Sequence, residues 1–137
     1  AELRWQPLAR LELAAAATLG LTRVAGSAAV GDWSPLTSTA WSLRAVVGGV
    51  LAEEDRLGLR LGQPLRVERA EARLRLEGDE AADLAPSGRE IDLELAWQAG
   101  LSASADLAFS LLLTHEAGHD GSRGIDGGIG LRFVGQF

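Results

Sequence analysis

Lysine, tyrosine, cysteine, methionine and asparagine are all missing from these 137 residues. Without cysteine there is no disulfide framework and no thiol chemistry, although the compartment stays open. Without lysine, every one of the 13 basic residues is arginine; 19 acids oppose them, for a formal net charge of −6. That balance leaves no basic surplus to neutralise phosphates, so no nucleic-acid partner is expected. Long apolar runs are lacking too: nothing reaches the ~18 uncharged apolar residues of a membrane-spanning helix. The best candidate, Leu13 to Leu21, is short, alanine-rich and set between Glu12 and Arg23. Any membrane crossing would have to be made by strands.

What is present is alternation. Side chains of a strand point to opposite faces in turn, and six segments carry an apolar residue at every other place. The odd-numbered set runs Leu11, Leu13, Leu19 and Leu21; Trp41 and Leu43; Leu57, Leu59 and Leu61; Leu93, Leu95 and Trp97; Leu107, Phe109 and Leu111; and finally Ile129, Leu131 and Phe133, with Phe137 at the end. Ala14 to Ala17 favour a helix by propensity, but the leucines at 11, 13, 19 and 21 fit period two and would scatter around a helix. Near Glu68–Ala70 the third segment changes phase, so that Ala70, Ala72, Leu74 and Leu76 take over the apolar places, with Arg69, Arg73 and Arg75 between them. A β-bulge would do this; a tight turn that adds a strand is the competing reading. Long connections (Ala25–Ser38, Gly78–Gly88, Glu116–Gly124) alternate with short ones (Ala52–Asp55, Gln98–Gly100). Long loops at one end and tight turns at the other is the asymmetry of outer-membrane barrels.

The expected fold is therefore all-β: an antiparallel meander of about six long strands, part of, or assembling into, a transmembrane β-barrel. The odd-numbered residues named above are the expected lipid-facing set. The even-numbered face carries Arg10, Glu12, Arg44, Arg56, Arg60, Arg66, Asp92, Glu94, Asp106 and Arg132, charges of both signs that can pair in a wet lumen. A solvated face of a soluble β-sandwich would alternate in the same way, but ~9–11 residues of alternation suits a membrane-crossing strand better than the ~5–6 of a soluble one. Aromatic girdles are thin: on these strand directions Trp97 and Phe137 mark the inner rim and Trp41 the outer.

Three stretches carry a resemblance. Gln63-Pro64-Leu65-Arg66-Val67, then Ser87-Gly88-Arg89-Glu90-Ile91-Asp92-Leu93-Glu94-Leu95, then Gly118-His119 with the final phenylalanine, resemble the carboxy-terminal region of certain bacterial subtilisin-like serine peptidases, which end in an autotransporter-type β-domain. The likeness spans roughly Thr37 to Phe137. Ala70 stands where the family has a turn glycine, which puts the turn there in question. The resemblance implies a barrel of roughly twelve strands, of which six would be the second half. The 137 residues would then be a single β-domain, the carboxy-terminal part of a longer precursor. It also implies a place in the bacterial outer membrane at the cell surface, and display of an amino-terminal passenger. The peptidase itself would lie in that passenger, so neither catalysis nor a cofactor is expected here. Phe133 and Phe137 resemble the terminal signal read by barrel-assembly machinery. The implied partners are outer-membrane lipid, that machinery, and the remaining barrel strands or further copies of the chain.

A different chemistry competes. His115-Glu116-Ala117-Gly118-His119 matches the zinc-peptidase pattern, which on a helix sets two ligands one turn apart with the glutamate as general base. Against it, Leu107–Leu113 alternates like a strand, and Gly121 and Gly124 would end a helix early. Moreover, Ile125 occupies the place of a further histidine. Asp120-x-Ser122 with Gly124 is an incomplete calcium series, and Gly127-Gly128-Ile129-Gly130 precedes no helix that could cradle phosphate. A soluble extracellular sheet that pairs its edges with copies or partners by strand addition is the leading alternative to a barrel, and a metallopeptidase the third reading.

Overall fold

The computed structural model describes residues 1–24, 30–74, 81–102 and 104–135. Among these described residues ten strands form two sheets: β1 (Glu2–Leu8), β2 (Leu11–Thr22), β3 (Val30–Trp33), β4 (Leu36–Gly48), β5 (Arg56–Arg69), β6 (Glu71–Leu74), β7 (Ala81–Asp83), β8 (Ile91–Ser102), β9 (Ala105–His115) and β10 (Ile125–Gly135). The large sheet has seven strands in the order β1-β2-β4-β5-β8-β9-β10, each antiparallel to the next. It is an open meander: among the described residues β1 and β10 are not paired with each other. Six of its strands are 11 to 14 residues long, and these are the six alternating segments of the sequence.

Four features depart from expectation. The first is a seventh strand, β1, of seven residues. Its alternation is broken by a register shift between Trp5 and Leu8, where Pro7 has no N–H to give a ladder and is tolerated because the strand is an edge. The second concerns the third segment. A bulge does occur at Glu68, the extra residue between the pairs Ser38–Val67 and Thr37–Arg69, and another lies at Pro64–Leu65 opposite Ala40. After Ala70 the chain then leaves the sheet. It continues as β6, which joins β3 and β7 in a three-stranded sheet built within the long connections. The third departure is that β8 continues through Gln98–Gly100, where a turn was expected, and runs on to Ser102, three residues before β9 begins. The fourth is Gly49–Asp55, longer than the expected Ala52–Asp55 turn. Phe137, half of the expected assembly signal, and the continuation of the phase change at Arg75 and Leu76 lie outside the described residues.

Register gives the large sheet its character. Three rows of directly opposed residues cross it on the odd-numbered face. One is Trp5–Leu13–Ala45–Leu59–Leu95–Leu111–Ile129, complete over all seven strands; beside it run Leu3–Ala15–Leu43–Leu61–Leu93–Leu113–Gly127 and Leu11–Val47–Leu57–Trp97–Phe109–Leu131. No polar side chain interrupts them. Yet the only apolar residues fully removed from solvent, among those described, are Ala70, Ala72 and Ala99. Ile129, Leu131 and Leu19 remain 76%, 74% and 77% exposed. Among the described residues, nothing is laid against this broad apolar sheet face.

Candidate functional site

The opposite face is assembled from small and charged residues at the same register. Its central row reads Arg4–Ala14–Arg44–Arg60–Glu94–Leu112–Gly128. Arg44 and Arg60 stand directly opposite each other, a repulsive arrangement for cross-strand neighbours. Each turns outward to an acid: Arg44 Nη2 lies 3.0 Å from Glu12 Oε1, and Arg60 Nη1 lies 2.6 Å from Glu94 Oε1. One row toward the long loops, the Thr114 hydroxyl donates to Asp92 at 2.8 Å. Glycine keeps this face open where strands crowd. A β-carbon at Gly62 would sit 3.0 Å from the Trp41 carbonyl oxygen and 3.2 Å from Ser42 Cβ.

At the short-turn end, Asp55 organises the β4–β5 turn. Its carboxylate accepts from the backbone N–H groups of Val50 (2.7 Å), Leu51 (2.8 Å) and Ala52 (3.2 Å), and from the Trp97 indole N–H (2.8 Å). The indole hydrogen bond foremost, then the backbone donors, hold its pKa down to about 2 against the opposing effect of burial. Gly49, at φ 71°, makes the reversal possible, and a side chain there would collide with the Arg10 guanidinium. The neighbouring turns are joined to it, since Gly48 N donates to the Arg10 carbonyl at 2.9 Å.

At the long-loop end a second polar assembly pins the loops to the sheet. Arg66 donates to the carbonyl oxygens of Gly88 and Pro86, both at 2.8 Å, and pairs with Glu68. Glu68 also accepts from Arg89 and from the Thr39 hydroxyl, while Gln63, 1% exposed, bonds Thr39 and Arg89. Alternation alone puts Arg66 on the even face with the lumenal charges. The bulge at Pro64–Leu65 instead sets it opposite Thr39, among the odd-numbered places of β4.

The zinc-type motif lands here, and its parts are separated. His115 is the last residue of β9, and Ala117–His119 is a single 3₁₀ turn with Gly118 at φ 73° inside it. His119 is buried with both ring nitrogens engaged: Glu90 N donates to Nδ1 at 2.9 Å, which leaves Nε2–H to donate to the Leu65 carbonyl at 3.1 Å. Glu116 accepts from the Arg89 backbone N–H at 2.6 Å. Among the described residues no group of three His, Asp or Glu side chains could hold a metal ion. Glu116 and His119 act as loop ties.

The structure places the eighteen odd-numbered apolar candidates on strands of the large sheet, sixteen on the belt just described or its direct continuation. Leu19 and Leu21 sit at the long-loop end of β2 opposite Thr39 and Thr37. Sequence reasoning missed Asp55, Gln63, Arg89 and the tying role of His119. Gln63, Arg89 and His119 are fixed by partners 21 to 54 residues away along the chain, and Asp55 by turn amides together with the Trp97 indole, none of which leaves a period to read. No protein-family model, curated protein or solved structure matches the chain.

Proposed function

We propose that this chain forms part of the wall of a bacterial outer-membrane β-barrel, an autotransporter-like segment that anchors or displays a passenger at the cell surface and does no chemistry itself. The observation that supports this reading is the exposed belt of unbroken apolar rows on a sheet where, among the described residues, no apolar side chain larger than alanine is buried. Ile91 to Ala99 on β8 give nine residues, at the lower end of the ~9–11 that a tilted strand uses to cross a bilayer. The face behind the belt, with paired charges and small residues, suits a water-filled lumen. All the longer connections lie at one end and all the tight turns at the other, as a wall spanning from cell surface to periplasm requires. In lipid the free edges of β1 and β10 would leave N–H and C=O groups unmet, so remaining strands or further copies belong on both edges, delivered by barrel-assembly machinery.

The open edges also suit a soluble sheet that grows by strand addition. Extraction separates the two. The full chain is expected to sediment with outer-membrane lipid and to leave it only with detergent, migrating on a denaturing gel in a heat-modifiable form. A native protein that stays in aqueous buffer without detergent defeats the membrane reading.

A further inference from the structure

Charges on the lumen-type face are settled in pairs at its centre, but the pattern fails two rows nearer the tight turns. There the register carries Arg56–Gln98–Ala108–Arg132 across β5, β8, β9 and β10. Both arginines are exposed, and neither makes an ion pair among the described residues. The adjoining row is Gly58–Ala96–Ser110–Gly130, so no side chain larger than Gln98 stands between the two cations. The result is an open hollow of about 420 Å³ lined by both guanidinium-bearing residues, with Gln98 and Ser110 on its floor.

We infer that this hollow binds an organic dianion, a molecule with two acidic groups on a short apolar body. Strands lie ~4.8 Å apart, so the outer two of these four are separated by ~14 Å, a span for one ligand to bridge with an acid at each end. Each guanidinium offers a planar fork of donors matched to a carboxylate or phosphate. The glycine and alanine floor accepts the apolar middle, and Gln98 and Ser110 supply polar groups that fix orientation. A small monoanion would serve one arginine and leave the other without a counter-charge. Carboxylates compete at both ends without pairing: Asp106, a row nearer the turns and opposite Gly100 and Val134, lies diagonal to Arg132, and Glu53 and Glu54 line a neighbouring hollow with Arg56. The hollow is independent of whatever covers the leucine face, being lumenal in a barrel and a cleft in a soluble sheet.

Calorimetric titration of the folded full chain with octanedioate, and separately with octanoate as the monoanion of equal length, tests the inference. Octanedioate is expected to bind about tenfold or more tightly, and less so as salt is raised. Arg56→Gln and Arg132→Gln should each reduce octanedioate to the affinity of octanoate. Asp106→Asn should tighten binding, and Arg44→Gln should leave it unchanged. Equal affinities for the two acids, octanedioate binding unaltered in both hollow-lining variants, or no heat at millimolar ligand overturns the site. Whether the sample needs detergent reports separately on the barrel, so the two ideas fail independently.

Discussion

A carboxylate that accepts four hydrogen bonds at a strand turn can be the point on which a hairpin depends, and Asp55 is such a group. It is 1% exposed, yet it is held ionised by the Trp97 indole and three backbone donors. Its pKa lies at about 2 in the folded chain and at ~4 in an unfolded one. A group depressed in this way stabilises the fold fully above the unfolded value, and that contribution disappears as pH falls through the folded value. The turn should therefore stay closed above about pH 4 and loosen progressively toward pH 2. Backbone amide resonances of Val50 and Leu51 followed by NMR against pH should show that transition. In Trp97→Phe the largest contribution to the shift is gone, and the midpoint should move upward. In Asp55→Asn the neutral amide has a single acceptor oxygen, so the turn should be loose at every pH. A wild-type midpoint at the ordinary aspartate value would mean that the indole bond does not form.

At the scale of elements, the sheet is held in register by what its two faces carry. A one-residue slip would carry every odd-numbered leucine of a strand to the opposite face, and the central charged row makes that slip more costly still. Arg44 and Arg60 tolerate each other because Glu12 and Glu94 flank them. Glu94→Gln should thus destabilise more than Arg60→Gln, since the first leaves two guanidinium groups face to face and the second removes the conflict. The Arg60 and Glu94 side chains are 35% and 46% exposed, so solvent screens the pair, and its coupling in a double-mutant cycle should be ~0.5 kcal/mol and shrink with salt. Unfolding in detergent and urea measures it; equal losses in the two single variants would show that the opposition of Arg44 and Arg60 carries no energy. Much of this was legible in the sequence, because period two is written in the leucines themselves and six long strands follow from it. What was not legible has physical causes. Gln6-Pro7 breaks β1 after only Leu3 and Trp5, too short a run to read. The departure of the chain at Ala70 into a second sheet depends on pairing with β3, some forty residues earlier in the chain. The ties at Arg66, Asp55 and His119 end largely on backbone atoms, which every residue possesses alike.

For the whole molecule, the direction of strands limits how the wall could close. Seven antiparallel strands leave β1 and β10 running the same way. Copies related by rotation about the membrane normal would set β10 of one beside β1 of the next in parallel, whereas antiparallel seams need an odd number of further strands. A wall of this kind must also discriminate between its faces, and Leu111 and Leu112 test that directly. They are neighbours on β9, but Leu111 sits in the central apolar row between Leu95 and Ile129, while Leu112 lies opposite Glu94. If lipid covers the belt, Leu111→Arg should cost about 2–4 kcal/mol, as a cation near the bilayer midplane does, and Phe133→Arg about 0–1 kcal/mol, as one near the interface does. Leu112→Arg should be tolerated, since a guanidinium there gains Glu94 as a neighbour and stays in water. Folding of the three variants into lipid vesicles, followed by the heat-modifiable band, ranks them. A gradient from Leu111 to Phe133 is the mark of depth in a bilayer. A core sealed by another protein would instead penalise both by how tightly each is packed. Equal effects at Leu111 and Leu112 would mean that the two faces do not meet different media, and the lipid-facing belt would fall with them.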